Sequence, residues 1–292
     1  MTQAGLCDMF HHPFIIHALL AGSAVAALCG LVGYFLVLRG QVFAGDALGH
    51  LAYTGAMGAL AAGVDPRAGL FGATVVGGLA LGAGSNRRTD DVVIGSFFSW
   101  ILGLGVLFLT YYTTHGSGSN GIANVNVLFG SIFGINNSAA TMAVAIAAVL
   151  GVAMIVMARP LLFATVDPAV AEAAGVPTRF LGAAFLAVVG ATVAEATQIV
   201  GALLVLGLLA APAAAAARLT TQPWHGFWIS AVFAGAAIWV GVTLAYLIPA
   251  APASFTIMAT AAAIYLVAGI VTRKRRSDAD AIDTPGERVQ EL

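Results

Sequence analysis

The sequence predicts an all-α membrane protein, a polytopic helical bundle. Three observations predict it. Charged residues make up only 9% of the chain, against about 25% in a soluble domain. Mean hydropathy is +0.96. Continuous apolar runs rich in Ala, Leu, Val and Gly recur along nearly the whole chain. A helix needs about 20 such residues to cross a hydrocarbon core, and a β-barrel strand would alternate polar with apolar instead. Residues 1–272 are read as one transmembrane domain and 273–292 as a polar, disordered cytoplasmic tail.

Taken in order, 1–13 is a polar lead with His11 and His12, and His17 lies just inside the next run. Three histidines at one end can gather a metal; isolated interfacial histidines are the plainer reading. The first span is Phe14–Leu38, retained because no basic leader and no small-residue cleavage site accompany it. Cys7 and Cys29 lie at different depths and outside any CxxC pair, which argues against a disulfide. The second span, Gln41–Gly63, stops at Val64-Asp65-Pro66. Arg67–Ser85 is the third, rich in the glycine that lets helices approach closely in lipid. A hydrophilic loop, 86–91, leads to the fourth, Val92–Tyr112. The glycine- and serine-rich Thr113–Asn126, containing His115, reads as a flexible outer loop. Val127–Ile135 is too short to cross and reads as interfacial or re-entrant.

The fifth span, Ser138–Ala158, is closed by Arg159-Pro160. Asp167-Pro168 then starts a short helix outside the membrane, containing Glu172 and stopped by Gly175 and Pro177. Phe180–Gln198, Val200–Ala217, Gly226–Ile248 and Ser254–Val271 complete nine spans, with Pro212 expected to kink the seventh. His225 reads as structural. With the N-terminus outside and the C-terminus cytoplasmic, nine crossings put Arg39, Arg87, Arg88, Arg159, Arg179, Arg218, Arg273, Lys274, Arg275, Arg276 and Arg288 inside. Only Arg67 of the twelve basic residues falls outside, as the positive-inside rule requires. Eight spans, with one apolar segment re-entering, is the alternative.

The second span carries the chemistry. Asp46 and His50 are four residues apart, so they share a helix face. An ionisable group at mid-bilayer costs about 2.5–3.5 kcal/mol, so two on one face need a reason. A carboxylate and an imidazole aimed together suit a divalent transition metal. The other reading is an Asp–His hydrogen bond that holds helices in register. Glu195, near the outer end of the sixth span, is either an outer-gate ligand or a glutamate reaching the interface. No phosphate-binding GxxxxGK[ST] loop occurs and Lys274 is the only lysine, so nucleotide energy has to come from another chain. No catalytic motif points to an enzyme, and net charge of −1 gives no ground for a nucleic-acid partner.

Five stretches in order, FLVLRGQVFAGDALGHL, DDVVIGSFFSWILGLGVLFL, VNVLFGSIFGI, VDPAVAEAAGVP and IVGALLVLGLLAAPAAAAARLTTQP, resemble the membrane permease family of bacterial ABC importers for zinc, manganese and iron(II). The resemblance implies that Asp46 and His50 form the metal site of a translocation path in the bacterial plasma membrane. It implies that Val166–Gly175 docks on a cytoplasmic ABC ATPase, with Asp167, Glu172, Ala173, Ala174 and Gly175 presenting the coupling motif. Glu195 departs from the family, which usually has an uncharged residue there. An extracellular metal-binding lipoprotein or periplasmic protein and a second permease copy are the other implied partners. The transported ion, zinc or manganese and by extension iron(II), is cargo, and no permanent cofactor is expected. Two ligands do not complete a shell of four; a second copy, or water and backbone carbonyls, would complete it. Ligands that must shed protons would make transport pH-sensitive through His50. Two other transport mechanisms compete: a permease for a metal chelate such as a siderophore, which would want a wide aromatic path, and a proton-coupled secondary transporter, which would need no ATPase.

Overall fold

A computed structural model describes residues 13–84, 91–115, 128, 130–202, 204–248 and 250–283. They form ten α-helices: α1 (Pro13–Leu38), α2 (Val42–Ala61), α3 (Pro66–Gly84), α4 (Asp91–His115), α5 (Asn137–Val166), α6 (Pro168–Ala173), α7 (Thr178–Val200), α8 (Val205–Leu219), α9 (Pro223–Leu247) and α10 (Ala253–Asp283). A 3₁₀ turn at Ile132–Gly134 precedes α5. Six helices, α1, α4, α5, α7, α9 and α10, are long and apolar enough to cross a membrane; α8, at 15 residues, is a shorter apolar helix. His11, His12 and the basic loop at 86–90 lie outside the described residues, as does most of the Thr113–Asn126 loop.

Local chemistry sets the helix ends. The Asn136 side chain accepts the Ala139 N–H at 2.8 Å and opens α5, while Pro223 begins α9 in the first-turn position where its missing N–H costs nothing. Two sets of helices pack most closely within themselves: α1, α8, α9 and α10 on one side, and α2, α3, α4 and α7 on the other, with α5 lying against α1 and α7. Small residues make the seams. A Cβ added at Gly78, Gly82 or Gly190 would strike the backbone facing it across the α3–α7 seam, and one at Gly30 would strike Ala231 across α1–α9. Such contact between backbones replaces the hydrophobic drive that lipid removes. Ser230 adds a buried hydroxyl on α9 that donates to the Gly30 carbonyl of α1 at 2.7 Å.

Four readings from sequence are corrected. Helix α5 does not stop at Arg159-Pro160: it runs through Pro160 to Val166. Leu161 is fully buried and Ala164 nearly so, so packing of the last turn outweighs the one backbone bond that proline removes. The expected seventh span, Val200–Ala217, is not one helix, because the chain breaks at Gly201 between α7 and α8. Residues from Arg273, expected to be disordered, continue α10 as helix to Asp283, and 272–283 contains neither Gly nor Pro to stop it. Glu195 does not reach an interface: it is 4% exposed.

Candidate functional site

Helix α2 lies between α3 and α4 and also touches α7 and α8. Its small residues Ala44, Gly45, Ala47 and Gly49 are buried, which draws neighbouring backbones in. Asp46 and His50 are left on a half-open face, 34% and 21% exposed, with His50 Nε2 4.0 Å from Asp46 Oδ1. That separation exceeds a hydrogen bond, so the pair shares a face without closing on itself. The Phe98 ring of α4 meets the His50 ring edge-on at 4.8 Å and fixes its plane. Thr54, one turn further, donates to the Ile101 carbonyl at 2.9 Å, so α2 and α4 run parallel beside the pair.

The α7–α8 break borders the same place. Gly201 has φ 95° and ψ 152°, a region essentially closed to residues with a side chain. Gly49, next to His50, faces this break: a Cβ there would come within 3.3 Å of the Ala202 carbonyl oxygen and 3.1 Å of Val205. Irregular backbone at membrane depth is tolerated where protein buries it or a wet cavity borders it. The sequence places the boundary between the sixth and seventh spans at Ile199, two residues before Gly201, but gives no sign that it lies beside His50.

Beyond the break, at the end of the bundle opposite Arg39, lies a cavity of about 260 Å³ lined by Arg67, Ser131, Asn136, Glu195 and Gln198 among others. Gln198 Nε2 donates to Glu195 Oε2 at 3.2 Å. Of the segment expected to be interfacial or re-entrant, Ile132 is buried at 3% exposure, and Ser131, Gly134 and Ile135 line the cavity.

At the other end, Asp167 Oδ1 accepts the Val170 N–H at 3.0 Å and caps α6, as the Asp-Pro start predicts. Gly175 ends the turn at φ 82°. Glu172 Oε1 accepts a hydrogen bond from the Thr178 hydroxyl at 2.8 Å, which ties α6 to the start of α7. Pro212 lies buried inside α8, His225 is exposed at the start of α9, and Cys29 is buried in α1. Among the described residues, no three His, Cys, Asp or Glu side chains converge as a metal site would require.

The sequence pattern of the ABC 3 transport family matches residues 11–272. The chain belongs to the ABC 3 transport family. Among curated members, it is 26% identical over 282 residues to the manganese import system permease protein ScaB of Streptococcus parasanguinis, covering 95% of this chain and 96% of that one. It is 28% identical over 217 residues to the manganese transport system membrane protein MntC of Halalkalibacterium halodurans, covering 74% and 73%. A probable iron transport system membrane protein of Haemophilus influenzae is 28% identical over 283 residues, covering 93% and 97%. This ABC 3 family chain also shares its fold with PsaBC from Streptococcus pneumoniae, solved in complex with Fab, at a TM-score of 0.78 and 23% identity, covering 92% and 95%.

Proposed function

We propose that this chain is the transmembrane permease subunit of an ATP-driven importer for a divalent transition metal ion. The observation that carries the reading is the Asp46–His50 pair, held on one half-open face of α2 beside the α7–α8 break. A carboxylate and an imidazole are ligands common to zinc, manganese and iron(II); the names of the relatives favour manganese or iron. Two ligands without a third fit a site completed by a second permease copy across a two-fold axis, and an incomplete shell lets an ion leave as well as enter.

In this reading the chain crosses the plasma membrane nine times with its N-terminus outside. Helix α6, with Glu172 and Ala173 to Gly175, docks on a separate cytoplasmic ABC ATPase, where hydrolysis takes place. An extracellular binding protein delivers the ion to the end bearing Arg67 and Glu195, and Glu195 serves as an outer-gate ligand. The alternation of helix directions supports this topology, since Arg39, Thr165 and α6 share one end while Arg67, Asn136 and Glu195 share the other. The test is uptake of radiolabelled manganese, with zinc and iron(II) as competitors, in cells lacking other importers. Uptake independent of any ATPase chain, or absent for all three ions, defeats the reading.

A further inference from the structure

The α1–α2 turn carries a half-buried guanidinium that joins three elements. Arg39 Nε donates to Gln41 Oε1 at 3.1 Å, and Nη1 donates to Thr165 Oγ1 at 3.3 Å. Its Cζ lies 5.7 Å from the centroid of the Phe185 ring on α7. Gln41 is the residue from which α2 starts, one helical segment below Asp46. Thr165 is in the last turn of α5, and only Asp167 separates that helix from α6. The Thr165 proton is already given to the Leu161 carbonyl at 2.6 Å, so its oxygen is turned to acceptance. Arg39 also stands where the chain passes from one close-packed helix set to the other.

We propose that Arg39 is a positioning residue that relays displacement of α6 to α2, and so to Asp46 and His50. The inference rests on the reading of α6 as the docking helix. Stiff elements that meet through a directional contact shift together, and Arg39 supplies that contact at the base of the site helix. A planar guanidinium can address Gln41 and Thr165 at once while lying over an aromatic ring; a lysine ammonium offers no such fork.

The test compares Arg39→Gln, Arg39→Lys and Thr165→Val in membrane vesicles holding the assembled importer. Four quantities are read: ATPase co-purification, ATP hydrolysis, manganese uptake and thermal unfolding. Arg39→Gln is expected to keep the ATPase and its hydrolysis while ions moved per ATP fall about tenfold, within the range usual for coupling between sites. Arg39→Lys should fall less. Thr165→Val, which keeps shape and removes the hydroxyl, and with it both the acceptor for Arg39 and the local bond to the Leu161 carbonyl, should shift the ratio in the same direction and remains informative should Arg39→Gln fail to fold. The double variant should be no worse than Arg39→Gln alone, because both act through one contact. An unchanged ratio in Arg39→Gln overturns the relay, as does a fall in melting temperature with proportional loss of hydrolysis and uptake. Glu172→Ala and Gly175→Val, run in parallel, report on docking alone. ATPase retained by both refutes the docking helix; ATPase lost by them with the ratio intact in Arg39→Gln refutes only the relay.

Discussion

Replacing His50 by alanine should silence uptake and leave the fold nearly intact. The side chain is 21% exposed and stands 4.0 Å from Asp46, so no hydrogen bond is lost with it. Its remaining contribution is an edge-on ring contact with Phe98, worth about 0.5–1.5 kcal/mol, against a total stability of about 5–15 kcal/mol for an ordinary domain. The ion loses far more. Removal of a group that merely supports a ligand costs about 10–100-fold in affinity, and a ligand itself costs at least that. His50→Ala and the nearly isosteric Asp46→Asn are therefore expected to lower radiolabelled manganese uptake by at least about 10-fold at near-normal membrane levels and melting temperature. Wild-type uptake in either variant refutes the site. A large drop in melting temperature with unchanged uptake per folded molecule would instead make the pair a clasp between helices.

Three further expectations are independent of that result. Gly175→Val places a β-branched residue at φ 82°, a conformation that costs such residues at least about 1–2 kcal/mol; it should loosen the end of α6 and weaken ATPase co-purification, as should Glu172→Ala. Full retention in a pull-down counts against docking. Glu195→Gln preserves shape in the 260 Å³ cavity but replaces the carboxyl group with an amide, a much poorer metal ligand. The half-saturating external manganese concentration should rise, and an unchanged value would remove the gate assignment. Val64→Cys in a Cys7→Ser background, where Cys29 stays buried, should react with an impermeant thiol reagent from outside only. Labelling from the cytoplasmic face alone would invert the topology.

Much of the fold was legible because lipid makes hydrophobic length a direct record of helices. The Asp46–His50 face follows from an i, i+4 spacing, and the α6 start from Asp167-Pro168, both local rules that the structure keeps. What stayed hidden depends on neighbours. Pro160 reads as a stop until Leu161 and Ala164 are seen packed against other helices. Glu195 reads as an interfacial glutamate until it is found buried beside a cavity that Ser131 and Gly134 also line. A boundary between two spans reads from the sequence at Ile199, but only the backbone angles of Gly201 and its place beside Gly49 put that break next to the site. Arg39, an interfacial basic residue by composition, has meaning only through Thr165, which is 126 positions away.

The seating of α3 on α7 has a bearing on where an ion can travel. Wherever Gly78, Gly82 and Gly190 bring the two main chains together, not even a methyl group has room, and a cation with any of its water shell needs much more. That seam is a wall. On the proposed reading an ion cannot cross at that seam, and the ligand pair stands on a different, half-open face of α2, where His50 meets Phe98 of α4. Larger residues at these glycines would have to push the two helices apart.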